Sequence, residues 1–122
     1  MGVDIAEVER IKAAIERHGE TFLRRVYTPA ERAYCEGFRN KYERYAGRFA
    51  AKEAAMKALG TGWRGLTFRE ISIRRDPRGK PRLELHGRAL DRARALRVRS
   101  AEVSITHTDE LAAACVALVT ED

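Results

Sequence analysis

The sequence has little of what would staple a small chain together or carry it into a membrane. Two cysteines among 122 residues, Cys35 and Cys115, are too few for a disulfide framework and show no CxxC spacing. A reducing, cytoplasmic setting is therefore expected. Cys115 lies in an apolar run and is expected to be a small buried hydrophobe. The longest apolar stretch, "LAAACVALV" at 111–119, is far short of a membrane span, so no membrane partner is expected. The N-terminus lacks the basic-then-apolar pattern of a secretory signal. The 3 histidines have no zinc-ligand spacing. No serine or cysteine sits in a recognisable nucleophile motif, so any attacking group is expected to come from a substrate. Low-complexity segments and internal repeats are also missing.

What remains suits one domain over residues 1–122, with 44% hydrophobic and 34% charged residues. The net charge is +6, from 24 basic and 18 acidic side chains. Residues 1–61 and 62–122 each carry 12 basic and 9 acidic groups, so there is no basic tail. The excess suits either a solvated mixed surface or a polyanionic ligand or acidic partner.

"VDIAEVERIKAAIERHG" begins as a strand and becomes a helix, with Val8, Ile11 and Ile15 on one face and Gly19 as its stop. "TPAE" predicts a helix start: Thr28 as N-cap, Pro29 at the first helical position, Glu31 closing a capping box. A long central helix is predicted over 41–59. "GTGWRG" reads as a glycine-rich loop without the Lys-Ser/Thr ending of a P-loop. Residues 68–86 alternate around "DPRGK" and predict a hairpin. "GRALDRARALRV" predicts an amphipathic helix with Ala89, Leu90, Ala93 and Leu96 inward. Two last strands follow; the final one is apolar on both faces and so central or covered. The order β-α-α-α-β-β-α-β-β predicts an α+β domain, with helices packed on a mostly antiparallel sheet.

The central helix raises the chemical question. Glu53 and Lys57 stand one turn apart, an ordinary surface ion-pair spacing. Yet Ala50, Ala51, Ala54, Ala55 and Ala58 surround them, and Arg48, Lys52 and Lys57 gather positive charge nearby. One carboxylate among cations on a small-residue helix suits phosphates held through a metal. Asp4, at the strand–helix junction, is either a helix cap or a metal ligand. Magnesium is commonly held by one or two carboxylates, with water and substrate phosphates completing the shell. Asp4 and Glu53 would form such a pair if the first strand packs beside the central helix. His107, near a strand end, is either a polar surface residue or part of a site.

Taken together, "GVDIAEVERI", "FLRRVYTPAE", "GRFAAKEAAMKALGTG", "DPRGKP" and "VSITHT" resemble the holo-acyl-carrier-protein synthases, small trimeric phosphopantetheinyl transferases, in order and spacing. The resemblance covers essentially the whole chain. It implies the phosphopantetheinyl transferase fold as a homotrimer with sites at subunit interfaces. It implies transfer of the phosphopantetheine arm of coenzyme A to a serine of an acidic apo acyl carrier protein, in support of fatty acid synthesis. Adenosine 3',5'-bisphosphate would leave. By the same resemblance Asp4 and Glu53 match the Mg²⁺ ligands, and Lys57 the active-site lysine. Arg48, Lys52, Gly60 and Gly62 match the region that holds coenzyme A, Lys80 and Pro81 a segment near the adenine. His107, grouped with Glu53 and Lys57 as catalytic, matches with Ser104 and Thr108 a strand bordering the nucleotide across a subunit boundary. Arg10 matches a carrier-protein contact. The family's longer apolar start is here only Met1-Gly2 before "VDI".

Two rival readings remain at the level of sequence. A non-catalytic nucleotide or nucleic-acid module would use the 19 arginines, but the chain lacks aromatics interleaved with its basic residues, so no nucleic-acid partner is expected. A structural subunit would trimerise through the last strand.

Overall fold

Helix α4 (Lys41–Ala58) is the axis around which the other elements pack. In the computed structural model, which describes residues 1–61 and 65–121, its small residues Ala46, Ala50, Ala51, Ala54 and Ala55 are all buried. Small side chains let strands approach a helix closely, and two glycines mark the contact. A Cβ on Gly2 would strike the carbonyl of Ala54, and one on Gly47 would lie 2.9 Å from Ile105 Cγ2. The alanine richness of α4 is thus a packing requirement.

Strand β1 (Gly2–Glu7) leads into α1 (Val8–His18), which ends at Gly19. A short helix α2 (Glu20–Val26) follows, then α3 (Pro29–Glu36). The expected capping box opens α3: Thr28 Oγ1 accepts from Glu31 N, and Glu31 Oε1 accepts from Thr28 N. After α4, a 3₁₀ turn (Phe68–Glu70) leads into the hairpin β2 (Ile71–Arg75) and β3 (Pro81–Leu85). Asp76 Oδ1 closes its turn by accepting from Arg78 N and Lys80 N. Helix α5 (Gly87–Ala95), β4 (Val98–His107) and β5 (Leu111–Thr120) complete the chain.

All strand pairs are antiparallel, in two sheets: β1-β5-β4 and β2-β3. The α+β expectation holds, and of the two alternatives for β5, central or covered, the strand is central. Sequence reading missed α2. That helix has no side-chain N-cap, because Gly19 occupies the position at φ 51°. The cysteine expectation is also corrected. Cys115 faces outward on β5 and is half-buried, whereas Cys35 is fully enclosed, and burial pushes its thiol up to about 12.

One face of the three-stranded sheet covers α4; the other is bare. Val3 and Ile5 are 55% and 63% exposed on that outer face, beside Cys115 and Ala113 in register. Among the described residues no helix is long and apolar enough to cross a membrane.

Candidate active site

β1 pairs with β5 along its whole length, which fixes Asp4 opposite Ala114. Strand alternation turns Asp4 inward with Gly2 and Ala6, toward α4, so its side chain is only 11% exposed. It does not cap α1, whose N-cap position is Glu7. On α4, Phe49, Glu53 and Lys57 follow one another at one-turn spacing along the strip that the strand leaves open. Two carboxylates 49 positions apart in sequence therefore meet.

Their meeting is visible in the proton affinity of Glu53. Burial first, and then the Asp4 carboxylate pressed against it and hydrogen-bonded to it, raises the Glu53 carboxyl from 4.5 to about 7; Lys57 pulls weakly the other way. Lys57 does not form its ion pair with Glu53, one turn back. Its Nζ lies 2.7 Å from Asp4 Oδ1 and 3.2 Å from the carbonyl oxygen of Val3. Asp4 in turn holds the ammonium above its ordinary value. An acid pair that keeps a proton near neutrality has the donor set a hard cation takes: two carboxylates, open to solvent on one side. Among the described residues no group of three or more His, Cys, Asp or Glu side chains could hold a metal, so an ion here would rely on substrate or water for its other ligands.

The pair opens into a cleft of about 610 Å³. Phe22, Phe49, Ile11 and Leu111 give it an apolar floor, and Arg10 stands on its rim. Arg10 is 80% exposed in its side chain and only loosely paired with Glu7, at 3.9 Å.

A second, smaller hollow of about 190 Å³ lies elsewhere, lined by Tyr34, Arg44, Arg48, Arg75, Pro81 and His107, among others. Tyr34 organises it. The Arg48 guanidinium sits 4.1 Å from the ring centroid and that of Arg75 5.0 Å. Arg44 and Arg75 both donate to the Tyr34 hydroxyl. Nε of Arg44 and of Arg48 are buried without a hydrogen-bond partner among the described residues, and burial lowers the proton affinity of Arg48. His107 enters from β4 with Nδ1 2.9 Å from Glu43 Oε1.

Lys52 requires a correction. It was expected near coenzyme A, but its side chain is fully enclosed. Its ammonium donates to Val26 O at 2.7 Å, Glu31 Oε1 at 2.6 Å and Phe68 O at 3.2 Å, which uses all its protons inside the core. Ser104 is on the opposite face of β4 from His107, exposed on the bare side of the sheet. Thr108 turns the β4–β5 hairpin, its hydroxyl accepting from Glu110 N and Leu111 N. Lys80 pairs with Glu102 at 3.1 Å, and Gly60 follows α4 at φ 76° with its N–H on Lys57 O. Gly62 lies outside the described residues.

Comparison with known proteins places the chain in a family. The family model described as the 4'-phosphopantetheinyl transferase superfamily matches residues 1–116. The chain belongs to that superfamily. Within it, the chain is 53% identical over 118 residues to a holo-[acyl-carrier-protein] synthase of Solibacter usitatus, covering 96% of this chain and 94% of the relative. A second holo-[acyl-carrier-protein] synthase, from Koribacter versatilis, is 50% identical over the same shares. The fold matches the Helicobacter pylori holo-[acyl-carrier-protein] synthase solved in complex with coenzyme A, with TM-score 0.85 and 33% identity over 97% of this chain and 98% of that one.

Sequence reading passed over Tyr34, Glu43, Arg44 and Arg75. The only local trace is the i, i+4 spacing of Arg44 and Arg48 on α4. Their meeting with Tyr34 and Arg75 depends on how α3 and β2 pack, which spacing does not encode.

Proposed function

We propose that this chain transfers the 4'-phosphopantetheine arm of coenzyme A to a serine hydroxyl of an apo acyl carrier protein. The serine oxygen forms a bond to the pantetheine-side phosphorus, the bond from that phosphorus to the bridging oxygen breaks, and adenosine 3',5'-bisphosphate leaves. The observation that carries the reading is the convergence of Asp4, Glu53 and Lys57 at the head of an open cleft, in a chain whose relatives bear this activity by name. The missing nucleophile then belongs to the carrier.

Asp4 and Glu53 fit Mg²⁺, since their abutting carboxylates lack a positive partner strong enough to keep both ionised. When bound, such an ion supplies charge neutralisation to the pyrophosphate. Lys57 adds a directed positive charge beside the same phosphates, where positioning and electrostatics do most of the work. The remaining phosphate of coenzyme A, a monoester, suits the hollow of Arg44, Arg48, Arg75 and His107, with Pro81 against the nucleoside. Arg10 on the rim, with the +6 net charge, favours an acidic carrier.

The two hollows are separate in one chain, and the bare sheet face carries exposed Val3 and Ile5. Both features favour a homotrimer that completes each site from two subunits. The setting this reading implies is the cytoplasm, and the use is fatty acid synthesis.

The test is direct. Purified protein with coenzyme A, Mg²⁺ and an apo carrier should add the mass of one phosphopantetheine arm to the carrier serine. A carrier of unchanged mass after long incubation with folded, assembled protein would end the proposal.

A further inference from the structure

The second hollow gathers positive charge with almost nothing to balance it. Arg44, Arg48 and Arg75 converge on one tyrosine, and among the described residues no carboxylate lines the hollow. Glu43, outside the lining, touches one of the lining residues, His107. The two partners are 64 residues apart, and their side chains are only 20% and 23% exposed. A partly buried contact of this length, between the first turn of α4 and the end of β4, fixes a ring rather than decorating a surface.

A carboxylate oxygen only accepts, so the 2.9 Å contact puts the proton on Nδ1 of His107. Nε2 is then the nitrogen left for the hollow. In a neutral ring that nitrogen is a lone pair, which repels a phosphate oxygen; in the imidazolium it is a donor. The Glu43 carboxylate stands behind the ring, and the guanidinium groups of the hollow stand before it. Among the described residues, the charged or titratable groups that touch the ring or line the hollow with it are Glu43, Arg44 and Arg48 from α4, Tyr34 from α3 and Arg75 from β2.

We infer that Glu43 is a positioning residue: it orients His107 and supplies the negative charge that lets the ring donate from Nε2 to a phosphate monoester in the arginine hollow. The inference rests on the function proposed above and adds to it a residue that touches neither substrate nor metal.

The experiment uses the full-length protein with adenosine 3',5'-bisphosphate and with adenosine 5'-monophosphate, which lacks the second phosphate. Glu43→Gln keeps shape and hydrogen-bonding capacity but removes the charge; Glu43→Ala removes both. Expected is a loss of about tenfold in bisphosphate affinity for Glu43→Gln, larger for Glu43→Ala, as for loss of a charge-assisted contact, with affinity for the monophosphate changed less than twofold. In ¹⁵N spectra His107 should carry protons on both nitrogens in the wild-type bisphosphate complex and on one in the Glu43→Gln complex. For coenzyme A, KM should rise by more than kcat falls. Unchanged bisphosphate affinity in both variants, or a His107 spectrum indifferent to residue 43, overturns the inference. Wild-type protein that modifies a carrier yet does not distinguish the two nucleotides overturns it alone. Wild-type protein that neither modifies a carrier nor binds the bisphosphate overturns the proposed function with it.

Discussion

Lys57 Nζ rests 2.7 Å from Asp4 Oδ1, a residue 53 positions earlier, rather than on Glu53 one turn away along its own helix. The choice has a physical reason. Glu53 holds its proton up to about pH 7, so Asp4 is the more available negative charge. The ammonium also takes the carbonyl of Val3, which ties the end of α4 to β1. Lys57 is 54% exposed, so it guards the mouth of the carboxylate site rather than its base.

Removing that charge should be felt in turnover. Lys57→Ala is expected to lower kcat by about a hundredfold, the scale of losing one preorganised charge at the reacting phosphate. Lys57→Arg should recover part of it. The fold should survive, since an exposed ion pair adds little stability. Steady-state transfer to an apo carrier, with thermal melts of each variant, checks both parts.

The Glu53 carboxyl sets a pH window for the ion-free protein. Its folded-state value is raised from 4.5 to about 7, so its contribution to stability is full below 4.5 and is lost as pH rises through about 7. Mg²⁺ competes with the same proton. The rise in melting temperature on adding Mg²⁺ should therefore be larger well above pH 7 than well below it. In Glu53→Gln the pH dependence of this rise should disappear. Melting curves across pH, with and without Mg²⁺, decide the matter without any activity measurement, and a Mg²⁺ effect independent of pH would count against the site.

The buried Lys52–Glu31 pair calls for a different experiment. Glu31 Oε2 also accepts from Ile73 N at 2.6 Å, so the pair joins α2, α3, α4, the 3₁₀ turn and β2. Lys52→Met leaves a carboxylate buried without its cation and should cost about 3–5 kcal/mol in denaturant unfolding. The double variant Lys52→Met with Glu31→Gln should regain part of the loss. If Lys52 instead served coenzyme A, the single variant would weaken binding with its stability intact.

Lys52 also shows where a sequence stops being informative. Arg48, Lys52, Glu53 and Lys57 read alike as polar interruptions of an alanine helix. Because α4 is buried nearly all round, its periodicity does not say which interruption faces the core. Asp4 and Glu53 were legible only as a conditional pair, which needed the first strand to pack beside the central helix; the family resemblance, not spacing, put them together. The capping box at Thr28, the hairpin around Asp76 and the central or covered place of β5 were legible for local reasons: cap chemistry, turn residues and double-sided apolarity. Helix α2 gave no such signal, because its N-cap is a glycine and its length is a bare 7 residues. Glu43 and Arg75 were hidden because the contacts that give them meaning span 64 and 41 positions.

The assembly itself can be tested by dividing the chemistry between chains. If each site takes Glu53 from one subunit and His107 from another, trimers of Glu53→Ala alone or His107→Ala alone should be severely impaired. Mixed after dissociation and reassembly, some interfaces would hold an intact Glu53 facing an intact His107, and part of the activity should return. Sites contained in one chain would gain nothing from mixing. The bare sheet face supplies the control. Val3 is 55% exposed with its side chain away from α4, so Val3→Arg should leave the single chain folded while placing a charge in the subunit contact. Sedimentation of that variant should give the mass of a single chain, and mixing it with either inactive variant should restore no activity. A trimer of unchanged stability would mean that the subunits meet through some other face.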